Sequence, residues 1–454
     1  MAKDTLLHKV FVTACAVTRT TDVAVRWLGA TPFLPALFAL RYANMGGLDR
    51  DQFTRQLHRA RSFRDDRWCA YWDGIAEDCL GRANDLLGDL AAAAGVAAPD
   101  IGIENNRATE VLIDLLEPAA VLFADYGPQH DSAAVADLVA ANIAPNRQAY
   151  TATAFNAFDA WVKAITYFQV SAFPGHSHYR LRAYWRSRRL FDILIDALAP
   201  NLDVTVERVS IPGSDGDAVA GYLILPSGPG PHPVVLTTNG LEGTAQELAI
   251  PQLRYRRSGM AMFVMEMPGS YAYSERMRPE SETFYHRVID RMIADERLNP
   301  DRIAMVGVSF GGYWTARLAA TDSRLSCAIA CGAPTHRSFN GGALGTPQII
   351  LGALADTLGA TNPVNLRGKL RALSIKDLYH QIAIPLLVIN GDTDTLMDTQ
   401  DSVDLAAAAP QGTVLLYPDD DHCAMGHYRE WLDHSQQWLV HQLGAHSAHG
   451  AGPT

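Results

Sequence analysis

The sequence contains little cysteine and no long hydrophobic run. Only six cysteines are spread over 454 residues, and none forms a C-x-x-C pair, so we interpret them as free thiols rather than a disulfide framework. No apolar stretch reaches about 18 residues without a charge, which argues against a membrane-spanning helix. Val12–Cys15 is similar to a lipoprotein cleavage box, but Lys9 leaves too short an apolar stretch before it for a signal peptide. The sequence therefore favours a cytoplasmic protein without a membrane partner.

Basic residues are also in deficit. The chain has 38 Lys and Arg against 49 Asp and Glu, which gives a formal net charge of −11. Proteins that bind nucleic acid usually carry the opposite excess, so we expect no nucleic-acid partner. Hydrophobic residues make up 48% and charged residues 19%, which excludes intrinsic disorder and leaves ample material for a core. The length fits one large domain or two medium ones.

The first 200 residues show helical periodicity. Apolar side chains recur at spacings of three and four residues, which places them on one buried helix face. The clearest such series is Phe155, Phe158, Trp161, Val162, Ile165 and Phe168. No strand-like alternation occurs here, so we predict a helical N-terminal domain over residues 1–200.

After residue 200 the pattern changes to alternating strands and helices. The predicted strands are 204–212, 218–226, 234–238, 260–265, 303–307, 327–331, 386–390 and 414–417, with a turn at 213–216 between the first two. The predicted helices are 246–257, 281–296, 310–320 and 425–443. Such alternation indicates a mostly parallel, doubly wound sheet, and we assign it to a catalytic domain over residues 201–445. Residues 333–380 exceed what one crossover helix needs and predict a lid-like insertion, and residues 446–454 predict a flexible tail.

Gly307–Gly311 reads G-V-S-F-G and fits the pattern G-x-S-x-G. The match alone is weak, but it follows an apolar predicted strand and opens a predicted helix. This context is that of a nucleophile elbow, in which glycines permit a very tight turn and the serine hydroxyl is lifted above the sheet. We therefore predict that Ser309 is a catalytic nucleophile.

A serine hydroxyl is a weak nucleophile at neutral pH and needs a base. In folds with a nucleophile elbow, an acid and then a histidine follow the serine along the chain, each after a later strand. Strand 386–390 is followed by Asp394, and strand 414–417 is followed by His422. We predict these two as the acid and the base, with Asp392 and His427 as the less favoured alternatives.

The remaining acidic and histidine-containing segments do not indicate a metal site. Asp419–Asp421 is interpreted as a solvated loop, because no nearby residue supplies the spacing of further ligands. His176 and His178 are interpreted as loop residues, and His446 and His449 as tail residues. We predict neither a metal nor a cofactor.

An acyl-transfer site also needs donors for the oxyanion. The backbone N–H that follows the nucleophile, that of Phe310, is the first one expected. The second should come from the loop after the third strand, residues 239–244, where we predict the N–H of Leu241.

Four segments together resemble one family. They are Thr238–Glu247, Gly307–Gly312, Gly391–Asp394 and Asp421–Cys423. With them the chain resembles the FrsA-like esterase group of α/β-hydrolases, which also includes enzymes similar to 2,6-dihydropseudooxynicotine hydrolase and to the fungal pigment hydrolases that shorten polyketide chains. The similarity covers roughly residues 175–443 and extends more loosely over the N-terminal helices.

This resemblance implies an α/β-hydrolase fold in which the N-terminal helices and a lid cover the active site. It implies a triad of Ser309, Asp394 and His422, and hydrolysis of an ester or of a C–C bond next to a ketone. It also suggests a homodimer.

The chain departs from its relatives after the fourth strand. Many relatives carry D-x-P-G-x-G there, whereas this chain has E-M-P-G-S-Y from Glu266 to Tyr271, which puts the relatives' substrate shape in doubt. Tyr271, Tyr273, His336 and Glu242 are candidates for substrate contact, and ordinary packing is the alternative for them.

Three hypotheses for the function follow. The first is a serine hydrolase that acts on a small, fairly apolar ester, lactone or β-dicarbonyl compound, with polyketide-like molecules among the candidates. The second uses the same triad for acyl transfer or cyclisation in natural-product biosynthesis, which depends on exclusion of water. The third is a binding or regulatory protein, for which the basic cluster at 180–189 could recruit an anionic partner, although a solvated helix face explains that cluster as well.

Overall fold

The computed structural model describes residues 6–35, 37–102, 106–213, 218–342 and 344–445. The turn predicted at 213–216 falls almost wholly outside these ranges. The predicted tail, residues 446–454 with His446 and His449, lies outside them as well.

Nine α-helices precede the first strand in the described residues. They are α1 (Leu6–Thr18), α2 (Thr21–Leu28), α3 (Leu37–Gly46), α4 (Arg50–Arg59), α5 (Asp65–Ala94), α6 (Asn106–Tyr126), α7 (Ser132–Asn142), α8 (Gln148–Ala172) and α9 (His178–Leu198). Helix α8 carries the predicted aromatic series and packs against α5, α6, α7 and α9. It is buried on nearly all sides, as expected for the central helix of a bundle.

Eight strands form one sheet, as the sequence predicts. They are β1 (Val204–Ile211), β2 (Val219–Pro226), β3 (His232–Thr238), β4 (Ala261–Met265), β5 (Leu298–Val308), β6 (Leu325–Cys331), β7 (Leu386–Gly391) and β8 (Gly412–Tyr417). Their order is β1-β2-β4-β3-β5-β6-β7-β8. The pairs β1–β2 and β2–β4 are antiparallel, and every other pair is parallel. The predicted mostly parallel sheet is therefore confirmed.

Helices cover both faces of this sheet. They are α10 (Ala245–Gln252), α11 (Thr283–Ile293), α12 (Phe310–Thr321), α13 (Arg337–Asn340), α14 (Gln348–Leu358), α15 (Pro363–Ala372), α16 (Gln400–Ala408) and α17 (Tyr428–Leu443). Alternate residues of each central strand enter different cores, since successive side chains of a strand point to opposite faces. In β5, for example, Ala304 and Val306 face α10 and α17, whereas Ile303 and Met305 face α11 and α12.

The N-terminal helices share a core with one face of the sheet. Residues such as Phe158 of α8 and Val25 of α2 belong to the same hydrophobic cluster as Val235 of β3 and Ile389 of β7. The helical region is therefore anchored to the sheet by apolar burial. Helices α13, α14 and α15 lie in the segment between β6 and β7, where the sequence predicts an insertion.

Three predicted helices are shorter in the structure, and one of them, predicted at 281–296, is α11 at Thr283–Ile293. Helix α10 ends at Gln252 and continues as a 3₁₀ turn. Pro251 in its last turn has no N–H to donate to the carbonyl oxygen of Glu247, which weakens the helix at this end. The helix predicted from residue 425 begins only at Tyr428. Cys423 and Ala424 have φ angles of 59° and 47°, so the chain between His422 and His427 forms an irregular turn. No helix in the described ranges is long and apolar enough to cross a membrane.

Candidate active site

The predicted nucleophile stands in a strained turn between β5 and α12. Ser309 has φ 58° and ψ −120°, a conformation that costs energy for any residue with a side chain. Its N–H donates to the carbonyl oxygen of Cys331 at 2.7 Å. The turn is tight enough that a Cβ atom on Gly307 would lie 2.0 Å from the backbone oxygen of Gly311. The glycines of the motif are therefore required by backbone contacts.

We expect Gly307→Ala to destabilise the fold by about 3 kcal/mol or more, because the new methyl group meets rigid backbone rather than a flexible side chain. Gly81→Ala is the matched control, since an exposed glycine inside α5 has open space at its Cβ position and the change should stabilise by about 0.5–1 kcal/mol. Denaturant unfolding of both variants measures the difference. Equal stability of the two variants would contradict the contact.

The structure brings the predicted Ser309, His422 and Asp394 into one hydrogen-bonded chain. Ser309 Oγ lies 2.9 Å from His422 Nε2, and His422 Nδ1 lies 2.8 Å from Asp394 Oδ2. Asp394 Oδ2 also accepts from Asn390 Nδ2 at 2.9 Å, and Oδ1 accepts from the N–H groups of Leu396 and Met397. The carboxylate is thus held rigidly from several directions.

Electrostatics favour an ion pair between the imidazole and the carboxylate. Burial by itself lowers the pKa of His422, but the adjacent Asp394 carboxylate outweighs it and holds the pKa well above the usual value. Burial by itself raises the pKa of Asp394, yet the interaction with His422 and the hydrogen bonds from Met397 and Asn390 keep it below its usual value. The raised pKa of His422 and the lowered pKa of Asp394 both favour the charged form of the group, as expected for an acid and a base in contact.

The alternative acid and base are placed elsewhere. Asp392 accepts from the N–H of Asp419, and His427 Nδ1 lies 2.8 Å from Asp420 Oδ2. Asp420 also accepts from the N–H groups of Gly426 and His427. The acidic run is therefore used to shape the turn that carries His422. Among the described residues, no group of three or more His, Cys, Asp or Glu is arranged to hold a metal ion.

The residues of the two predicted oxyanion donors, Leu241 and Phe310, both line the cavity beside the serine. Gly240 approaches the nucleophile so closely that a Cβ on it would lie 2.6 Å from Ser309 Cβ, which brings the following Leu241 next to the hydroxyl. Leu241 and Phe310 both line the cavity described below. No described residue accepts a hydrogen bond from the N–H of either one, so both donors are free to bind a developing negative charge.

A residue of the helical region, Arg41 of α3, holds this loop, and sequence reasoning missed it. Its Nε and Nη2 donate to the two carboxylate oxygens of Glu247 at 2.9 and 2.8 Å, and Nη2 donates to the carbonyl oxygen of Glu242 at 3.1 Å. Glu247 also accepts from the N–H of Thr244 and completes a capping box at the start of α10. The T-x-x-E spacing of Thr244 and Glu247 was a readable signal for that cap, but nothing local pointed to a partner 206 positions away.

The four predicted substrate-contact residues do not line the cavity above Ser309. Glu242 has φ 55°, and its buried carboxylate lies 3.4 Å from His176 Nε2 and accepts from the N–H of Gly175. Tyr271 stacks on Tyr184 with ring centroids 4.9 Å apart. These contacts direct both side chains into the interface between α9 and the sheet.

The other two candidates are also used in packing. His336 Nδ1 lies 2.8 Å from Ser374 Oγ on the outer side of the insertion. Tyr273 packs edge-on against Phe284, and its hydroxyl donates to the carbonyl oxygen of Ala220. Their sequence positions after strand ends suggested a site, but the direction of a loop side chain is set by tertiary contacts.

The cavity above Ser309 has a volume of about 720 Å³. Its walls come from three parts of the chain: α1 and α3 of the helical region, the loops after β3, β5 and β8, and the insertion between β6 and β7. Phe38, Met45 and Phe173 supply apolar surface on one side, and Phe339 and Leu366 supply it on the other. A cavity of this size matches a small organic molecule.

The basic cluster at 180–189 is largely neutralised. Arg180 is buried and binds Asp65, while Arg182 and Arg186 pair with Asp73 and Glu77 of α5. Arg188 donates to the hydroxyl of Tyr184. These arginines fasten α9 to its neighbours and do not form an open patch for an anionic partner.

The chain is similar to two curated hydrolases. A curated relative, 2,6-dihydropseudooxynicotine hydrolase of Paenarthrobacter nicotinovorans, is 28% identical over 238 residues, which is 51% of this chain and 63% of the relative. Esterase FrsA of Escherichia fergusonii is 24% identical over 268 residues, which is 57% of this chain and 64% of the relative. These alignments span just under two thirds of both relatives.

Solved structures give the same picture of the fold. The crystal structure of the 2,6-dihydroxy-pseudo-oxynicotine hydrolase superposes with a TM-score of 0.54 at 22% identity, covering 76% of this chain and 98% of that one. The predicted α/β-hydrolase fold is thereby confirmed. The model of the family described as esterase FrsA-like matches residues 139–444, well over half of the chain. The chain therefore belongs to the FrsA-like esterase family.

Proposed function

We propose that this protein is a serine hydrolase that cleaves an ester, a lactone or an activated C–C bond next to a ketone in a small, mostly apolar molecule. The observation that carries the proposal is the continuous hydrogen-bonded chain from Ser309 through His422 to Asp394 at the floor of the cavity. Membership of the FrsA-like esterase family supports it. The proposal includes an N-terminal helical region that, with the insertion, roofs the site and selects the substrate.

The first half-reaction forms an acyl-enzyme. Ser309 Oγ attacks the carbonyl carbon of the substrate while His422 Nε2 accepts the hydroxyl proton, and Asp394 stabilises the imidazolium that results. The N–H groups of Leu241 and Phe310 donate to the oxyanion of the tetrahedral intermediate. When that intermediate collapses, the leaving group takes the proton from His422. For a C–C substrate the leaving group is the enolate of a ketone, and the same proton converts it to the neutral ketone.

The second half-reaction releases the acyl group. A water molecule attacks the acyl carbon and gives its proton to His422, and Ser309 leaves as the hydroxyl after regaining that proton. The products are a carboxylic acid and an alcohol or a ketone, and the free enzyme is restored.

The pH dependence of covalent labelling tests this proposal. We expect a fluorophosphonate to label Ser309, with a rate that rises with pH, because only neutral His422 can accept the hydroxyl proton. Since Asp394 holds the pKa of His422 well above its usual value of about 6.5, the midpoint should lie above that value. Mass spectrometry of the modified peptide measures both the site and the rate.

Asp394→Asn is the informative variant. It removes the anion that raises the pKa of His422 and leaves burial, which lowers that pKa, so the midpoint should move to lower pH. The plateau rate should fall on the order of 10⁴-fold, because an amide no longer fixes the correct imidazole tautomer. Asp392→Asn is the control and should leave both quantities unchanged. Labelling of another residue, or a midpoint that does not move in Asp394→Asn, would contradict the proposed triad.

A further inference from the structure

The charge of the cavity is opposite to that of the chain. Among the described residues that line the cavity there is no Asp or Glu, whereas three are arginines, namely Arg19, Arg41 and Arg367. The chain as a whole carries a formal net charge of −11. A cationic lining in an anionic protein is a local feature, and a cleft lined by charges of one sign attracts ligands of the opposite sign.

Two of these arginines belong to the solvent-exposed part of the lining, which we take as the opening of the cavity. Arg19, which follows α1, and Arg367 of α15 both line the cavity and are both exposed to solvent. Helix α1 belongs to the helical region and α15 to the insertion, so the two cations approach the opening from different parts of the chain. Arg41 is less exposed and lies close to the loop at 239–244, and its charge is neutralised by the carboxylate of Glu247.

The elements around the opening carry further positive charge. Helix α1 with Arg19 contains Lys9 and no acidic residue, and α15 contains Lys369 and Arg371 in addition to Arg367, again without an acidic residue. Within the described part of the chain, no hydrogen bond or ion pair engages the side chain of Arg19 or Arg367. Both guanidinium groups therefore have their donors available.

Carboxylates on neighbouring elements are occupied elsewhere. Asp22 of α2 accepts from Ser62 and from the N–H of Phe63. Asp356 of α14 lies against Gly175 on the far side of its helix and is absent from the cavity lining. Neither is placed to neutralise the two arginines at the opening.

We propose that the substrate carries an anionic group, a carboxylate or a phosphate, at the end remote from the scissile bond, and that Arg19 and Arg367 bind it. The apolar walls hold the body of the molecule over Ser309 while the anionic end stays at the opening, where the guanidinium groups donate charge-assisted hydrogen bonds. The substrate class is thus an apolar acyl compound with an anionic terminus. This inference rests on the proposed function and narrows it.

Matched pairs of esters test the inference. p-Nitrophenyl hexanoate and the p-nitrophenyl monoester of adipic acid have acyl chains of equal length and differ in a terminal methyl or carboxylate group. Octanoate and suberate esters extend the series toward the opening, and an ω-phosphate ester of the same length distinguishes phosphate from carboxylate recognition. We expect a KM about tenfold lower for the anionic member at the length that spans the cavity, with similar kcat, and a preference that weakens as salt is added.

Variants at the opening identify the residues responsible. Arg19→Ala/Arg367→Ala should abolish the preference, so that the about tenfold ratio between the KM values of the neutral and the anionic ester falls to about one. Arg19→Glu/Arg367→Glu should reverse the preference in favour of the neutral ester. Arg55→Ala, at an exposed arginine of α4 away from the cavity, is the control and should change neither.

Binding measured without turnover separates this inference from the proposed function. In Ser309→Ala, calorimetry gives the Kd of both esters whether or not the wild-type protein hydrolyses them. A lower Kd for the anionic ester that depends on Arg19 and Arg367 supports the inference even if no ester is cleaved. Equal Kd values across the length series, or a preference that survives Arg19→Glu/Arg367→Glu, would overturn it while leaving hydrolysis at Ser309 intact.

Discussion

Ser309→Ala should reduce the hydrolysis of any true substrate by about 10⁵–10⁶-fold, which leaves only the residual catalysis due to the oxyanion hole and substrate binding. The size of the effect follows from the role of the residue, because without the hydroxyl no acyl-enzyme forms and the remaining residues of a triad act only as a unit. Liquid chromatography with mass detection on a panel of activated esters, lactones and β-diketones measures the loss. The panel also reports which bond is cleaved.

The fold of the variant should be unaffected. Ser309 Oγ has one hydrogen bond, to His422, and removing it leaves the strained backbone and the contacts of Gly307 and Gly311 in place. The Kd for substrate should therefore stay close to the wild-type value. Ser326→Ala, at a serine whose hydroxyl donates to the carbonyl oxygen of Asp301 far from the cavity, is the matched control. Full activity in Ser309→Ala would exclude the covalent mechanism.

The strands were predictable because their signals are local, as apolar or alternating runs bounded by turn residues. The proposed triad residues Ser309, Asp394 and His422 were chosen for a similar reason, since each lies in the loop that follows such a strand. Parallel strands end at one edge of the sheet, so three loops far apart in the chain converge without any knowledge of packing. Helix α8 was predictable for a similar reason, since its period of 3.6 residues is visible in one segment.

The substrate side of the site was not predictable. Glu242 and Tyr271 occupy loops that end near the nucleophile, yet the positive φ of Glu242 and the stacking of Tyr271 on Tyr184 direct both into the protein interior. Conversely, Arg19 and Arg41 reach the cavity from helices that show no catalytic motif. Which face a helix presents to a site depends on helix packing, which a single sequence does not contain.

Arg41 also owes its contacts to long-range packing, and its substitution is the second change from which we expect a large effect on kcat. Its guanidinium holds the carbonyl oxygen of Glu242 and the carboxylate of Glu247, and so fixes the segment 242–247 that directly follows Leu241. A shift of that segment weakens the oxyanion hole, and the loss of one oxyanion donor costs about 10²–10³-fold in kcat. We expect Arg41→Met to lower kcat on a neutral ester by up to about that amount with little change in KM.

Arg41→Met also leaves a buried carboxylate without its cation, which destabilises a protein by about 3–5 kcal/mol. A second substitution separates this loss of stability from the effect of Arg41 on the position of Leu241. In Arg41→Met/Glu247→Gln the neutral amide keeps an acceptor for the N–H of Thr244, so the free energy of unfolding should recover in large part. The position of Leu241 is still not enforced in this double variant, and kcat should therefore stay low. Steady-state kinetics beside denaturant unfolding compares the two quantities. If kcat recovers together with stability, Arg41 serves only to stabilise the fold. If stability recovers and kcat does not, a helix outside the catalytic sheet contributes directly to the geometry of the oxyanion hole.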